Sequence, residues 1–158
     1  MKVPIQKLES FLLNLPHQDL TDMVIGILNY MDDHEQWIVF HELFYKYYSY
    51  TLDAPALQTI VDEFLRRTYK GDYLEIPDQF SFKMPVKTEA WINQFTCYMD
   101  VAVELIQKGE DTRGVILKLH KFYEEDLFEC EYIYENELND HLFLFKYDYA
   151  KYLIDQTI

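Results

Sequence analysis

Residues that interrupt helices, or that could staple a fold covalently, are scarce in this chain. Its 158 residues include four glycines and five prolines, and few breakers favour long helices over a β-sandwich with many turns. Two cysteines, Cys97 and Cys130, cannot build a disulfide framework or a four-thiolate zinc site, so we expect reduced thiols. Long apolar runs are missing too, which argues against a membrane-spanning helix, and polar residues at positions 6, 7, 9 and 10 argue against a signal peptide. These absences predict a soluble, cytoplasmic protein that does not contact membranes.

Positive charge is also in short supply. The chain carries 14 lysines and arginines against 28 aspartates and glutamates, which gives a formal net charge of −14. Such a field repels nucleic acid unless a local basic patch overrides it. The densest basic cluster, Arg66, Arg67 and Lys70, stands where a helix C-terminus is expected and where cations suit the helix dipole. Nucleic acid is therefore not an expected partner, whereas a protein with a basic surface is.

Apolar residues recur at helical spacing along most of the chain. With 49% hydrophobic residues, the sequence predicts one all-α domain, residues 1–158, with a real core. We expect about seven helices joined by short turns into antiparallel hairpins, as a bundle or a short helical-repeat array. Two sub-blocks, 1–71 and 86–158, are joined by residues 72–86. Two prolines and an alternation of apolar and polar residues there favour either a short β-hairpin or an extended linker.

The predicted helices have recognisable faces and ends. Asp32 and Glu35 resemble a capping box, and Asp53 is a predicted N-cap. Thr88 and Asp111 are further predicted N-caps, and helix stops are expected at the glycines 71 and 109. The stripes predicted to face the core comprise Ile5, Leu8, Leu12 and Leu15; Leu20, Met23, Val24, Ile27, Leu28 and Met31; Trp37, Phe40, Phe44, Tyr47, Tyr48 and Thr51; Leu57, Ile60, Val61, Phe64, Leu65 and Thr68; Trp91, Phe95, Tyr98, Ala102 and Leu105; Ile116, Leu119, Phe122 and Tyr123; and Leu138, Leu142, Phe145, Tyr149 and Tyr152.

Two stretches resemble known helical families. Residues 98–125, with Leu105-Ile106, the turn 108–110 and the small Gly114, are similar to a helical hairpin of the TPR or HEAT kind. In such hairpins a small residue at the place of Gly114 lets two helices cross closely. Residues 13–37 resemble the opening helices of bacterial segments that accompany SWIM-type zinc fingers. The zinc-finger cysteines are absent, so no metal or nucleic-acid role carries over.

Motifs for catalysis or metal binding are not found in the sequence. None of the histidines at 17, 34, 41, 120 and 141 belongs to an HEXXH or Glu-X-X-His pattern, so we expect polar surface or hydrogen-bonded rim groups. The sequence contains no GXSXG elbow, phosphate-binding loop or EF-hand. Cys97 lies in a helical stripe, which predicts a packed thiol. We therefore expect no enzyme, no cofactor and no metal.

Two features of the sequence point to a binding surface, and the first is the abundance of tyrosine. In FYKYYSYTL, residues 44–52, Tyr45 and Tyr50 lie on the flanks of the predicted core stripe. They are candidates for an exposed aromatic patch, since tyrosine is enriched at interfaces. The alternative is that they cover a groove between helices with their hydroxyls in water.

The second feature is residues 122–140, where acidic and aromatic residues interleave without any lysine or arginine. The segment can be a solvated helix face and loop. It can also be a docking surface for a basic protein, with carboxylates that steer and tyrosines that anchor. The candidate protein-binding surface comprises Tyr45, Tyr50, Glu124, Glu125, Asp126, Glu129, Glu131, Tyr132, Tyr134, Glu135 and Glu137.

These observations favour a non-enzymatic interaction module that binds another protein through an acidic, tyrosine-rich surface, and they leave room for a homo-oligomer. One alternative is an inhibitor or immunity-type protein that blocks a nucleic-acid-binding enzyme by acidic mimicry, which requires carboxylates along a continuous ridge. A second alternative is a small-ligand binder or enzyme with an inter-helical pocket, lined by Trp37, Trp91, His41 and His120.

Overall fold

The computed structural model describes residues 5–73 and 84–126, which form six α-helices and a closing π-helical turn. The helices are α1 (Ile5–Leu13), α2 (His17–Tyr30), α3 (Asp33–Thr51), α4 (Ala54–Tyr69), α5 (Val86–Gln107) and α6 (Arg113–Lys121), and the π-helical turn is Phe122–Asp126. No β-strand occurs in these two ranges, and the all-α prediction is confirmed. Six helices are one fewer than the predicted number of about seven. The helix predicted over 138–152 and most of the 72–86 segment lie outside the described residues.

The central helix of the described residues is α5, which packs against α3, α4 and α6. Its predicted stripe, from Trp91 to Leu105, is at most 3% exposed. The stripe of α4 faces the same core, with Leu57, Val61 and Phe64 buried. Trp37 of α3 and Leu119 of α6 belong to this one hydrophobic cluster. Residues of both sub-blocks therefore share a single core.

Helices α5 and α6 run antiparallel. Near their connection the hydroxyl of Thr112 donates a hydrogen bond to the carbonyl oxygen of Ala102. At the far end the ring of Phe122 lies 6.3 Å from that of Trp91, between centroids. The close helix crossing expected at Gly114 is not made there, because a Cβ atom added to this glycine would meet no atom within 4 Å.

Most helix ends follow the local sequence signals. Asp32 accepts a hydrogen bond from the N–H of Glu35 while the Glu35 carboxylate accepts from the N–H of Asp32, so the predicted capping box is present. The carboxylate of Asp53 caps α4. Gly71 and Gly109 have φ angles of 81° and 91°, the left-handed region that favours glycine at a helix end.

Two predicted N-caps are displaced from the observed ones, Thr88 by three residues and Asp111 by one. Helix α5 begins at Val86 after Pro85, and Thr88 is buried inside its first turn. Helix α6 begins at Arg113 with Thr112 at the N-cap position, not Asp111. A proline fixes the backbone angle that suits a helix start, and the Thr112 hydroxyl is used to join α6 to α5.

Helices α1 and α2 correct the predicted extent of the core. Their stripes were expected to be buried, yet α2 has no buried residue and Leu8 of α1 is exposed. Neither helix is among the closely packed pairs. The link to the rest of the fold includes Gln36, whose side-chain amide donates hydrogen bonds to the carbonyl oxygens of Leu28 and Met31.

None of the helices in the described ranges is both long enough and apolar enough to cross a membrane.

Candidate functional site

Helix α3 is apolar on two opposite faces. Its inner face carries the buried Trp37, whose ring lies 5.7 Å from the Tyr98 ring of α5, and the partly buried Phe44 and Tyr48 pack there as well. On its other face, four side chains spaced by four, four and three residues are between 47 and 89% exposed. We call this row the outer stripe, and it comprises Val39, Leu43, Tyr47 and Tyr50. At 1.5 Å per residue it extends over about 17 Å.

The outer stripe corrects part of the sequence prediction for α3. Tyr47 and Thr51 were expected in the core, but both are exposed. Phe40, in the middle of the helix, has non-helical backbone angles (φ −117°, ψ 16°). At about 100° per residue, Tyr47 lies about 80° round the helix from Trp37, on the side of Val39 and Leu43. Phe44 and Tyr48 instead continue the inner stripe past Phe40.

Tyr50 occupies an exposed corner where α3 meets the end of α5. It is 89% exposed, and the Lys108 ammonium lies 5.8 Å from its ring centroid. The same ammonium donates to the Ser49 carbonyl oxygen at 2.6 Å and pairs with the Glu104 carboxylate at 2.7 Å. The prediction that Tyr50 is exposed is confirmed. Its ring makes a cation–π contact with the Lys108 ammonium, which its other two contacts hold in place.

Tyr45 bridges α3 and α5. Its hydroxyl donates a hydrogen bond to Glu104 at 2.7 Å, and its ring packs on the edge of the core. Hydrogen bonds from Lys108 and Tyr45 lower the pKa of Glu104 to about 2. The Glu104 carboxylate in turn raises the pKa of Tyr45. Tyr45 therefore covers a groove between two helices, as the alternative interpretation predicted, but its hydroxyl binds Glu104 where that interpretation expected water.

The groove beside Tyr45 is acidic and shallow. It consists of two neighbouring cavities of about 470 and 270 Å³, which share Tyr45 and Asp100 as lining residues. Glu104 and Lys108 line the larger cavity, and Glu42 lines the smaller one. Three carboxylates and one ammonium suit a cationic side chain better than an anionic ligand.

Cys97 and His41 also line the smaller cavity, but their chemistry is not that of a nucleophile and its base. Burial raises the pKa of the Cys97 thiol to about 12, so the thiolate that would attack a substrate is not formed at neutral pH. His41 places its Nδ1 atom 3.2 Å from the carbonyl oxygen of Ile38 on its own helix. The prediction of a packed thiol is confirmed.

The acidic segment begins at the opposite end of α5. Glu124 and Glu125 are exposed on the π-helical turn, and Glu125 lies 3.9 Å from the Lys121 ammonium. Phe122 of this turn packs near Trp91, thirteen residues or about 20 Å along α5 from Glu104. The structure therefore does not bring Glu124 and Glu125 together with Tyr45 and Tyr50. The backbone of Asp126 is described, whereas Glu129, Glu131, Tyr132, Tyr134, Glu135 and Glu137 lie outside the described residues.

A cluster at the start of α3 was missed by the sequence interpretation. Asp32, Asp33 and His34 each offer a side-chain atom that could bind a metal ion, and these atoms lie within 4.8 Å of one another. Asp33 is engaged by Arg67 at 2.6 Å, and Asp32 caps the helix through Glu35. His34 was expected at the surface or rim, but it is buried against the ring of Tyr73. These contacts hold the start of α3 against the end of α4.

The pocket expected from the two tryptophans is not formed by them. Trp37 packs against Phe44, and Trp91 stacks on Phe95 with 5.1 Å between ring centroids. Both indoles are core residues, and neither lines the two cavities beside Tyr45.

Comparisons of the chain with protein-family models, curated proteins and solved structures gave no match. The geometry of the outer stripe and of the acidic groove is therefore the basis for assigning a function.

Proposed function

We propose that this chain is a non-enzymatic protein-interaction module that binds its partner on the outer face of α3. The observation that carries the proposal is the outer stripe, a row of four exposed apolar side chains on a helix whose opposite face is locked into the core. Single exposed apolar residues are ordinary, but a contiguous row marks a surface that another molecule covers. Tyrosines at one end suit this role, because they combine an apolar ring with a hydroxyl that tolerates water.

The spacing of the outer stripe favours a helical partner. Side chains at i, i+4, i+8 and i+11 match the apolar face of an amphipathic helix laid along α3, as in helix-in-groove recognition. Antiparallel α5 and α6, the stretch that resembles a TPR or HEAT hairpin, are the rigid scaffold behind α3 in this proposal. A fixed scaffold lowers the ordering cost of binding.

The charge around the outer stripe favours a basic partner. Glu42, next to Leu43 of the outer stripe, also lines the acidic groove with Asp100. A lysine or arginine that flanks the apolar face of the partner can therefore reach the groove while the apolar residues cover the outer stripe. The net charge of −14, to which residues 124–137 contribute, steers such a partner toward the surface and makes association depend on salt.

A peptide selection tests this proposal. A phage-displayed library of helical peptides is selected against the full chain, and the enriched peptides are measured against a Leu43→Ser/Tyr47→Ser variant. We expect enriched peptides with apolar residues at helical spacing and flanking lysines or arginines. Their affinity should fall at least tenfold for the double variant, which corresponds to a loss of about 1.4 kcal/mol.

Leu117→Ser is the matched control, because Leu117 is exposed on α6, outside the outer stripe, and its replacement should leave binding unchanged. Equal binding to the double variant would overturn the location of the site, and enriched peptides without basic residues would overturn the partner chemistry. If no peptide is enriched and the double variant unfolds more easily than the natural chain, the outer stripe is covered by the protein itself and the proposal is wrong.

A further inference from the structure

A second exposed apolar row lies on α2, the helix without a buried residue. Met23, Ile27 and Tyr30 follow one face at i, i+4 and i+7, and they are 46, 46 and 93% exposed. We call these three residues the arm stripe. Helices normally derive most of their stability from burying such a face, and the residues that the structure describes do not bury this one.

The charge pattern of α2 identifies what can cover the arm stripe. Residues 23–31, MVIGILNYM, carry no charge in a chain whose net charge is −14. A partner of this stretch must therefore be apolar and uncharged itself. The same stretch of a second copy meets this requirement, and it brings the copies together where their like charges are absent.

Gly26 provides an independent indication of a helix partner. It lies beside Met23 and Tyr30 on the helix surface, and a Cβ atom added there would meet no atom within 4 Å. Glycine in the middle of a helix lowers its stability relative to alanine, and its compensating property is that it permits another backbone to approach closely. No neighbour among the described residues of this chain uses that space.

Further apolar side chains of α2 extend the arm stripe toward the size of a dimer interface. A specific interface buries about 800 Å² on each partner, and an aromatic side chain can bury about 150–250 Å². The arm stripe contributes one aromatic and two aliphatic side chains, and the half-buried Leu20, Val24 and Met31 lie beside it on α2 and at its C-cap.

We infer that two copies of this chain associate through α2, with the arm stripes facing each other across a two-fold axis near Gly26. The contact is isologous, so the same residues serve both partners and the assembly closes at two copies. This surface is separate in sequence from the outer stripe of α3, which leaves each copy able to bind its own partner.

Light scattering and sedimentation of the full chain test the inference. The natural chain should have twice the monomer mass of 19.2 kDa, with dissociation in the micromolar range or tighter, as interfaces of this size show. Ile27→Lys should give a monomer with an unchanged helical spectrum, because lysine places two charges opposite each other at the axis. Leu117→Lys, the matched exposed site on α6, should remain a dimer.

A second variant separates packing from charge. Gly26→Leu adds a better helix former but fills the space at the crossing, so it should weaken the dimer at least tenfold without lowering helix content. A natural chain that stays monomeric at about 100 µM, well above that dissociation range, would overturn the inference, as would an Ile27→Lys variant that stays dimeric. In the monomeric case, protection of the thiol in an Ile27→Cys variant would show that residues 127–158 of the same chain cover the arm stripe.

Dimer formation through α2 and peptide binding on α3 can be tested separately. The Ile27→Lys monomer should still bind the selected peptides, and the Leu43→Ser/Tyr47→Ser variant should still form the dimer.

Discussion

The hydroxyl of Tyr45 donates a hydrogen bond to the carboxylate of Glu104 at 2.7 Å and joins α3 to α5 across 59 positions of sequence. The other carboxylate oxygen lies 2.7 Å from the Lys108 ammonium. That ammonium also binds the Ser49 carbonyl oxygen. This small polar network fixes the rotation of α3 about its axis, and the rotation decides which residues form the outer stripe.

Removing the Tyr45 hydroxyl should weaken this joint. We expect Tyr45→Phe to lower the free energy of unfolding at pH 7 by about 1 kcal/mol, because a hydrogen bond to a partly exposed charged group is lost. The pKa of Glu104 should rise from about 2 toward its ordinary 4.5. Urea unfolding and a carbon-13 titration of the Glu104 carboxyl group measure the two effects.

The same network predicts the direction of a pH dependence. The pKa of Glu104 is lower in the folded protein than the ordinary value. Its contribution is therefore present above about pH 4.5 and is lost as the pH falls toward 2. Glu104→Gln should flatten this part of the unfolding profile. Tyr47→Phe is the control for Tyr45→Phe, since Tyr47 is an exposed tyrosine of the same helix. It should change the free energy of unfolding by less than about 0.5 kcal/mol. An unaltered acid profile in Glu104→Gln would contradict the assignment.

The Cys97 thiol should not react with thiol reagents in the folded protein. It is buried on α5, and burial raises its pKa to about 12. In a Cys130→Ser background, the native protein at pH 8 should not react with a disulfide reagent over minutes, because little thiolate is present and the sulfur is covered. One thiol should react at once in guanidinium chloride. Fast stoichiometric reaction of the native protein would show that the α3–α5 groove opens to the thiol.

Two leucines of α6 offer a matched test of the core. Leu119 is 0% exposed and Leu117 is 56% exposed, two positions apart on one helix. Leu119→Ala should lower the free energy of unfolding by about 2–5 kcal/mol, because it removes buried methyl groups and leaves a cavity.

Leu117→Ala should change the free energy of unfolding by less than about 0.5 kcal/mol, since surface substitutions have small effects. Chemical denaturation of the two variants measures the difference. Similar losses for both would mean that α6 is covered on its outer side as well.

The sequence predicts α4 and α5 well because their apolar stripes face the core of the described residues. Leu57, Val61 and Phe64 repeat at helical spacing, and so do Trp91 and Phe95; all five are buried. The capping residues Asp32 and Asp53 act locally, and a local interaction can be predicted from a short stretch of sequence.

The candidate site is harder to predict, because periodicity shows that a face is apolar but not what covers it. Met23 and Ile27 have the spacing of a core stripe, yet α2 has no buried residue. In α3 Tyr47 has the spacing of the outer stripe, four residues after Leu43, and it is exposed. Val39 and Leu43 were not identified as a site, although their spacing on the face opposite Trp37 was a usable signal. The space around Gly26 depends on the tertiary arrangement, which no local pattern encodes.

The pairing of α3 with α5 also has a kinetic consequence. Because the Tyr45–Glu104 contact spans 59 positions, the chain must close a long loop before the two helices can meet. For a flexible loop of this length the entropic cost is about 3–4 kcal/mol, apart from a constant. Helices α5 and α6, which are neighbours in sequence, can dock without that cost. We therefore expect α5 and α6 to associate early during refolding and α3 to join late, so the outer stripe would be completed only in the last step of folding.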